Sequence, residues 1–158
     1  MSFYVRVFSQ DEDFPSRYAL CEELLEAGFE FSTFPGKYDE DFDEKDWKHL
    51  MLEYDSDSEP IRLERNLAEK DTIFEEEKQE FLEALNEILT DKEQKKAVEI
   101  ITNAVQIYAF DVDDDITEKG WDFLNCLLDF LCDATDGYVQ IDDEGIYDKE
   151  GKILVEME

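Results

Sequence analysis

The chain has 158 residues, with 45 Asp plus Glu against 15 Lys plus Arg and a single His, a formal net charge of −30 at pH 7. A field of that sign repels phosphate backbones and anionic lipid, which are bound mainly through Lys and Arg, so neither nucleic acid nor a membrane is expected as a direct partner. Hydrophobic residues at 42% and aromatics at 13%, twelve Phe among them, are too many for a disordered acidic chain, so one folded domain over 1–158 is expected.

In chain order, FYVRVF at 3–8 is rich in β-formers and reads as a first strand. Asp13 and Pro15 then signal a helix start and Gly28 its stop, with Leu20, Cys21, Leu24 and Leu25 on one apolar stripe. FEFSTF at 29–34 alternates Phe with polar residues, the pattern of a half-buried strand, and Pro35-Gly36 ends it. A charged run follows at 37–47, interrupted by Phe42 and closed by Trp47. HLMLEY (49–54) and PIRLER (60–65) then form a hairpin around the polar tip DSDSE.

Thr72 with Glu75 is a capping box for a helix whose apolar face runs Phe74, Phe81, Leu82, Leu85, Ile88 and Leu89. Thr90 with Glu93 is a second one, heading a helix that carries Ala97, Val98, Ile101 and Ala104. VQIYAF (105–110) reads as a strand, DVDDD (111–115) as an acidic loop, and 117–134 as a helix burying Trp121, Leu124, Leu127, Leu128, Leu131 and Ala134. Asp136-Gly137 is a turn, and the tail is a tight meander with DEG and KEG turns. The class is therefore α+β, with four helices and a mostly antiparallel or mixed sheet of about six to eight short strands. Strand–helix–hairpin order recurs at both ends, which suggests two βαββ-like halves joined by a helical pair, with the helices over one face of a shared sheet.

The three Cys (Cys21, Cys126, Cys132) lie in apolar helical patterns, and their odd number speaks against a disulfide framework. Cys126 and Cys132 are about 120° apart around one helix and poorly placed to share a metal. The first residues carry neither a basic segment nor an apolar one, so a cytoplasmic location is expected. No Gly-x-Ser-x-Gly elbow, phosphate-cradling Gly loop or Cys-x-x-Cys occurs, and His49 is the sole histidine. No catalytic residues and no cofactor are assigned, and the oligomeric state stays open.

Acids mix with aromatics most densely at 38–59. An aromatic anchor ringed by carboxylates suits a basic protein partner, so Asp39, Glu40, Asp41, Phe42, Asp43, Glu44, Trp47, Asp55, Asp57 and Glu59 form the candidate partner-binding set. The competing reading buries Phe42 and Trp47 and leaves the acids facing water. Asp111, Asp113 and Asp115 copy the first ligand positions of a calcium loop, but Ile116 stands where that loop needs Gly, and Asp122 where it needs Glu. They are weak metal candidates, and as acids before a helix they complement its positive end. The carboxylates of IDDEGIYD (141–148) read as turn formers.

In size and charge the chain resembles small acidic proteins that neutralise a basic target, namely nuclease inhibitors, toxin-immunity proteins and nucleic-acid mimics. That likeness is of character and not of motif. The leading expectation is an interaction protein binding a basic surface; the alternatives are a divalent-metal protein or metal-dependent enzyme using 111–115, and an accessory domain whose charge serves solubility.

Self-repulsion among so many acids is screened by salt, with a Debye length of about 10 Å at 0.1 M. The melting temperature should therefore rise with NaCl concentration in differential scanning calorimetry. A flat profile would mean that the carboxylates are already neutralised by one another's neighbours.

Overall fold

A computed structural model describes residues 2–67, 72–87 and 92–157. In chain order the described elements are β1 (Ser2–Ser9), α1 (Arg17–Glu26), β2 (Ser32–Phe34), a short 3-10 turn (Glu40–Asp43), β3 (His49–Glu53) and β4 (Ile61–Leu67). α2 (Thr72–Asn86), α3 (Lys92–Asn103), β5 (Gln106–Asp113), α4 (Glu118–Thr135), β6 (Gly137–Ile141), β7 (Gly145–Tyr147) and β8 (Ile153–Glu156) follow. The strands form one antiparallel sheet in the order β2-β3-β4-β5-β1-β6-β7-β8. The class read from the sequence is the class found. Ile88, Leu89 and Thr90 lie outside the described residues, as do the side chains of Thr72 and Glu93, and with them both capping boxes.

Helices cover both faces of this sheet, not one. α1 and α4 pack together over Val5, Val7, Leu50, Leu63 and Phe110. α2 and α3 cover the opposite face, over Phe8, Ile107, Ile146 and Val155. The physical sign of this was in β5, whose residues Gln106 to Phe110 are all buried. A strand covered on both sides reads as a continuous apolar run, without alternation.

The two βαβββ units repeat in element order but not in placement. Beside the central pair β1–β5, the meander of the first unit contributes its last strand, β4, while that of the second contributes its first, β6. One meander therefore runs inward and the other outward, and no two-fold relates them.

The start of α1 differs from the expected one. Ser16, not Asp13, is the N-cap, and its hydroxyl accepts from the Ala19 amide at 3.0 Å. The preceding segment stays out of the helix because other groups hold it. The Gln106 side-chain amide donates to the carbonyls of Asp11 (2.9 Å) and Asp13 (2.7 Å), and the Trp47 indole N–H donates to the carbonyl of Pro15 at 3.1 Å. Leu25, counted in the apolar stripe, is 48% exposed. In β2 the strand is shorter than 29–34. Phe29 and Phe31 turn inward, edge-on to Phe123, and carrying their period of two forward points Thr33 inward and Phe34 outward, 69% exposed.

Trp47 organises one end of the sheet. Its ring is 1% exposed and lies near the guanidinium groups of Arg17 (5.8 Å) and Arg65 (5.3 Å) and the ring of Tyr108 (6.2 Å). Its carbonyl accepts from Arg65 at 2.8 Å, while Arg65 also donates to Gln106 and carries the Phe14 ring 3.7 Å from its guanidinium carbon. Arg17 donates twice to the carbonyl of His49. By contrast, the amide of Asn66, fully buried on β4, has no hydrogen-bond partner among the described residues. Trp47→Ala removes the ring that three elements share and should cost about 3–5 kcal/mol in urea denaturation. A loss below about 1 kcal/mol would show that the surrounding polar network, not the ring, holds this end together.

Candidate functional site

The acidic segment 38–59 does not form one surface. β3 runs through its middle, and five residues of strand separate the 39–47 portion from the 55–59 tip by about 17 Å. Asp39, Glu40, Asp43 and Glu44 lie on or beside the exposed 3-10 turn, and the side chain of Asp41 is outside the described set. Phe42 and Trp47 are 2% and 1% exposed, and Tyr54 is buried too, so none of them is a displayed anchor. This corrects their place in the candidate set. The reason is packing: Phe42 meets Tyr18 of α1 edge-on at 5.9 Å, and Trp47 closes the end of the sheet. The displayed ring of the segment is Tyr38, 97% exposed.

The other half of the set has gained company. Asp57 and Glu59, from the β3–β4 turn, stand with Asp113 and Asp115, from the end of β5 and its connection to α4, around an open cleft of about 460 Å³. The cleft rests on Tyr54 and Ile116, and the hydroxyls of Ser56, Ser58 and Thr117 complete its lining. Two turns 58 residues apart in sequence meet here because β4 pairs with β5, setting Arg62 opposite Asp111.

Local hydrogen bonds shape both walls. The Asp55 carboxylate accepts from the Asp57 amide at 3.0 Å and the Asp113 carboxylate from the Asp115 amide at 2.8 Å, the Asx turns for which Asp is suited. Thr117 caps α4, accepting from the Gly120 amide at 3.2 Å. The carboxylates thus sit at the positive end of an 18-residue helix, which partly offsets their mutual repulsion. Lys119 approaches Asp55 at 3.9 Å, with both groups partly exposed. Every polar side chain that lines the cleft can accept a hydrogen bond and four are carboxylates, an arrangement that receives multi-donor cations such as ammonium and guanidinium.

The acidic loop expected at 111–115 is half strand. Asp111 and Asp113 belong to β5, with Asp111 opposite Tyr4 and Arg62. Two residues along a strand are about 6.8 Å apart, so Asp111 stays away from the cleft while Asp113 and Asp115 enter it. Among the described residues no group of three or more His, Cys, Asp or Glu is gathered closely enough to hold a metal ion.

A second charged cluster is structural. Arg6, on β1, donates to Glu77 of α2 at 2.5 Å and to Asp142 at 2.8 Å, stacks near Phe81, and is largely buried. Burial raises the Glu77 carboxyl despite Arg6. At Asp142 burial works the same way but is outweighed by hydrogen bonds from Gln140 and Arg6 and by the Arg6 charge, which hold that carboxyl below its usual range. Arg6, Arg17 and Arg65 are thereby spent inside the fold, leaving the surface poorer in positive charge than composition implies.

Sequence reasoning missed the meeting of 57–59 with 113–115, because strand order decides it and element order does not. No protein-family model matches the chain, and neither the curated proteins nor the solved structures compared with it give a match. Among the described residues, no helix is long and apolar enough to cross a membrane.

Gly120 sets how closely α4 approaches the cleft. A Cβ there would stand 2.6 Å from Ile116 and 2.7 Å from the Tyr54 ring, the two residues on which the cleft rests. Gly120→Ala gains at most about 1 kcal/mol of helix propensity but overpacks the site by about 1–3 kcal/mol. The variant should be less stable than the parent, and a more stable one would mean that Tyr54 moves freely.

Proposed function

We propose that this chain is a non-catalytic interaction protein that binds a basic protein surface, with the cleft of Asp57, Glu59, Asp113 and Asp115 receiving lysine or arginine side chains. The observation that carries the reading is the convergence of four carboxylates from two separate turns on one open cleft lined otherwise by hydroxyls, Tyr54 and Ile116. A charge of −30 adds long-range attraction, which speeds encounter with a basic partner and disfavours anionic ones. Preformed Asx turns support it further, since they hold both walls in place before a ligand arrives.

The position of the aromatics changes how such a partner would be held. With Phe42, Trp47 and Tyr54 inside, the cleft offers charge and hydrogen bonds with little apolar surface. Binding of that kind is fast, salt-sensitive and specific for the spacing of cations.

The test is an NMR titration with a flexible Lys/Arg-rich peptide, comparing the parent with Asp57→Asn/Glu59→Gln/Asp113→Asn/Asp115→Asn. Asn keeps the Asx-turn acceptor while removing charge. Shifts in the parent should centre on 55–59 and 113–117, and the variant should lose about tenfold or more in affinity at low salt. Shifts spread evenly over the acidic surface, or an unchanged affinity, would sink the proposal.

A further inference from the structure

The two faces of the sheet are unequally covered at the β6–β8 end. On one face α3 packs against β8. On the other, α4 lies over β1 and β6, and α1 lies beside α4 toward the β2 side. Cross-strand partners share a face. Val139 and Ile141 are opposite Val7 and Val5, which puts them on the α4 side, and Tyr147 lines the same space as Leu128 of α4; Ile153, opposite Tyr147 past a register shift after Ile146, flanks them. Val139, Ile141 and Tyr147 are only half-buried and Ile153 is 41% exposed.

The result is a groove of about 390 Å³ between α4 and the hairpin. Leu128 of α4 forms one apolar wall, with Val139 and Ile141 beneath. Cys132 adds a neutral lining, since burial pushes its thiol up to about 12 against the pull of Lys149. The rim is acidic: Asp129 and Asp133 stand on the helix and Asp148 at the far side. The rim's Lys149 is already paired with Asp136 at 2.6 Å.

We infer that this groove docks an amphipathic basic helix of a partner protein, laid beside α4 with its apolar stripe on Val139, Ile141, Tyr147 and Ile153. From β6, which α4 already overlies, to β8 is two strand spacings, about 10 Å, the diameter of one helix, so a single helix fits beside α4 on that face. Lysines and arginines flanking the stripe would meet Asp129, Asp133 and Asp148. The same charge argues against a second copy as occupant, because each copy brings a net −30. The groove follows the C-terminal half of α4, whereas the cleft lies at its N-terminus, so the two surfaces can be disabled separately.

The probe is a synthetic peptide of about 18 residues, long enough to form a helix, with a leucine stripe and lysines on the other face. A scrambled peptide of equal composition keeps the charge and loses the stripe. The patterned peptide should bind about tenfold or more tightly than the scrambled one, with NMR shifts at Leu128, Val139, Ile141 and Tyr147. Two variants at exposed positions, Ile153→Glu and Asp129→Lys/Asp133→Lys, should each weaken it about tenfold, with circular dichroism confirming the fold. Substituting the four cleft carboxylates should leave in place both the shifts at Leu128, Val139, Ile141 and Tyr147 and the advantage of the patterned peptide over the scrambled one. Equal binding of both peptides, shifts confined to the free edge of β8, loss only on cleft substitution, or parent-like binding by both groove variants would each overturn the inference.

Discussion

The fold depends on how Trp47 is enclosed. Its indole lies near two buried guanidinium groups, and its own N–H and carbonyl tie it to the loop before α1 and to β4. Burying Arg17 and Arg65 is costly unless their donors are satisfied. The carbonyls of Trp47 and His49 and the side chain of Gln106 supply acceptors that the backbone geometry already holds in place. Gln106 then passes the restraint on, donating to the carbonyls of Asp11 and Asp13. One aromatic ring thus couples the entry to α1, the entry to β3, the end of β4 and the start of β5. Removing it would leave charged groups in a cavity, which is a heavier loss than an apolar void of the same size.

That arrangement also decides what the acidic segment can do. A tryptophan among carboxylates reads as an anchor for a partner, yet here it is committed to the interior. The acids around it are left on a solvated turn, with Tyr38 as the displayed ring. The convergent carboxylates lie instead at the other end of β3, where the 55–59 turn meets the end of β5. Arginine follows the same logic in reverse. Arg6, Arg17 and Arg65 serve the core, so the internal structure draws on positive charge while the surface keeps the negative excess.

Much of the fold was legible because local signals were strong. The apolar stripe Leu124, Leu127, Leu128 and Leu131 marks α4, and the DSDSE tip marks the β3–β4 hairpin. What failed was whatever depends on partners distant in sequence. Period two in 29–34 sets Phe34 on the face opposite Phe29 and Phe31, but it could not reveal that those two would meet Phe123 and so form the buried face. The α1 start was misplaced because Gln106, nearly a hundred residues on, holds Asp11 and Asp13 out of the helix. Likewise β5 continues through Asp111 and Asp113, since pairing with β1 and β4 outweighs the low β-propensity of Asp. The candidate site was legible as two acidic turns, but their adjacency follows from the strand order β4-β5.

α4 relates the two proposed surfaces to each other. Its N-terminus carries the cleft, where acids are tolerated because the helix dipole opposes their charge. Its C-terminal half walls the groove, where the dipole opposes the charge of Asp129 and Asp133 and the nearby Lys149 is paired with Asp136. The last turn of the helix contains no basic residue, although cations are the favoured charge there. Carboxylates near the negative end of a helix are mildly unfavourable in isolation. A flanking lysine or arginine from a docked helix would relieve their mutual repulsion and their conflict with the helix dipole. The dipole of α4 thus supports the acids of the cleft and opposes those of the groove, so a cationic partner, if docked as proposed, would relieve more unfavourable charge at the groove than at the cleft.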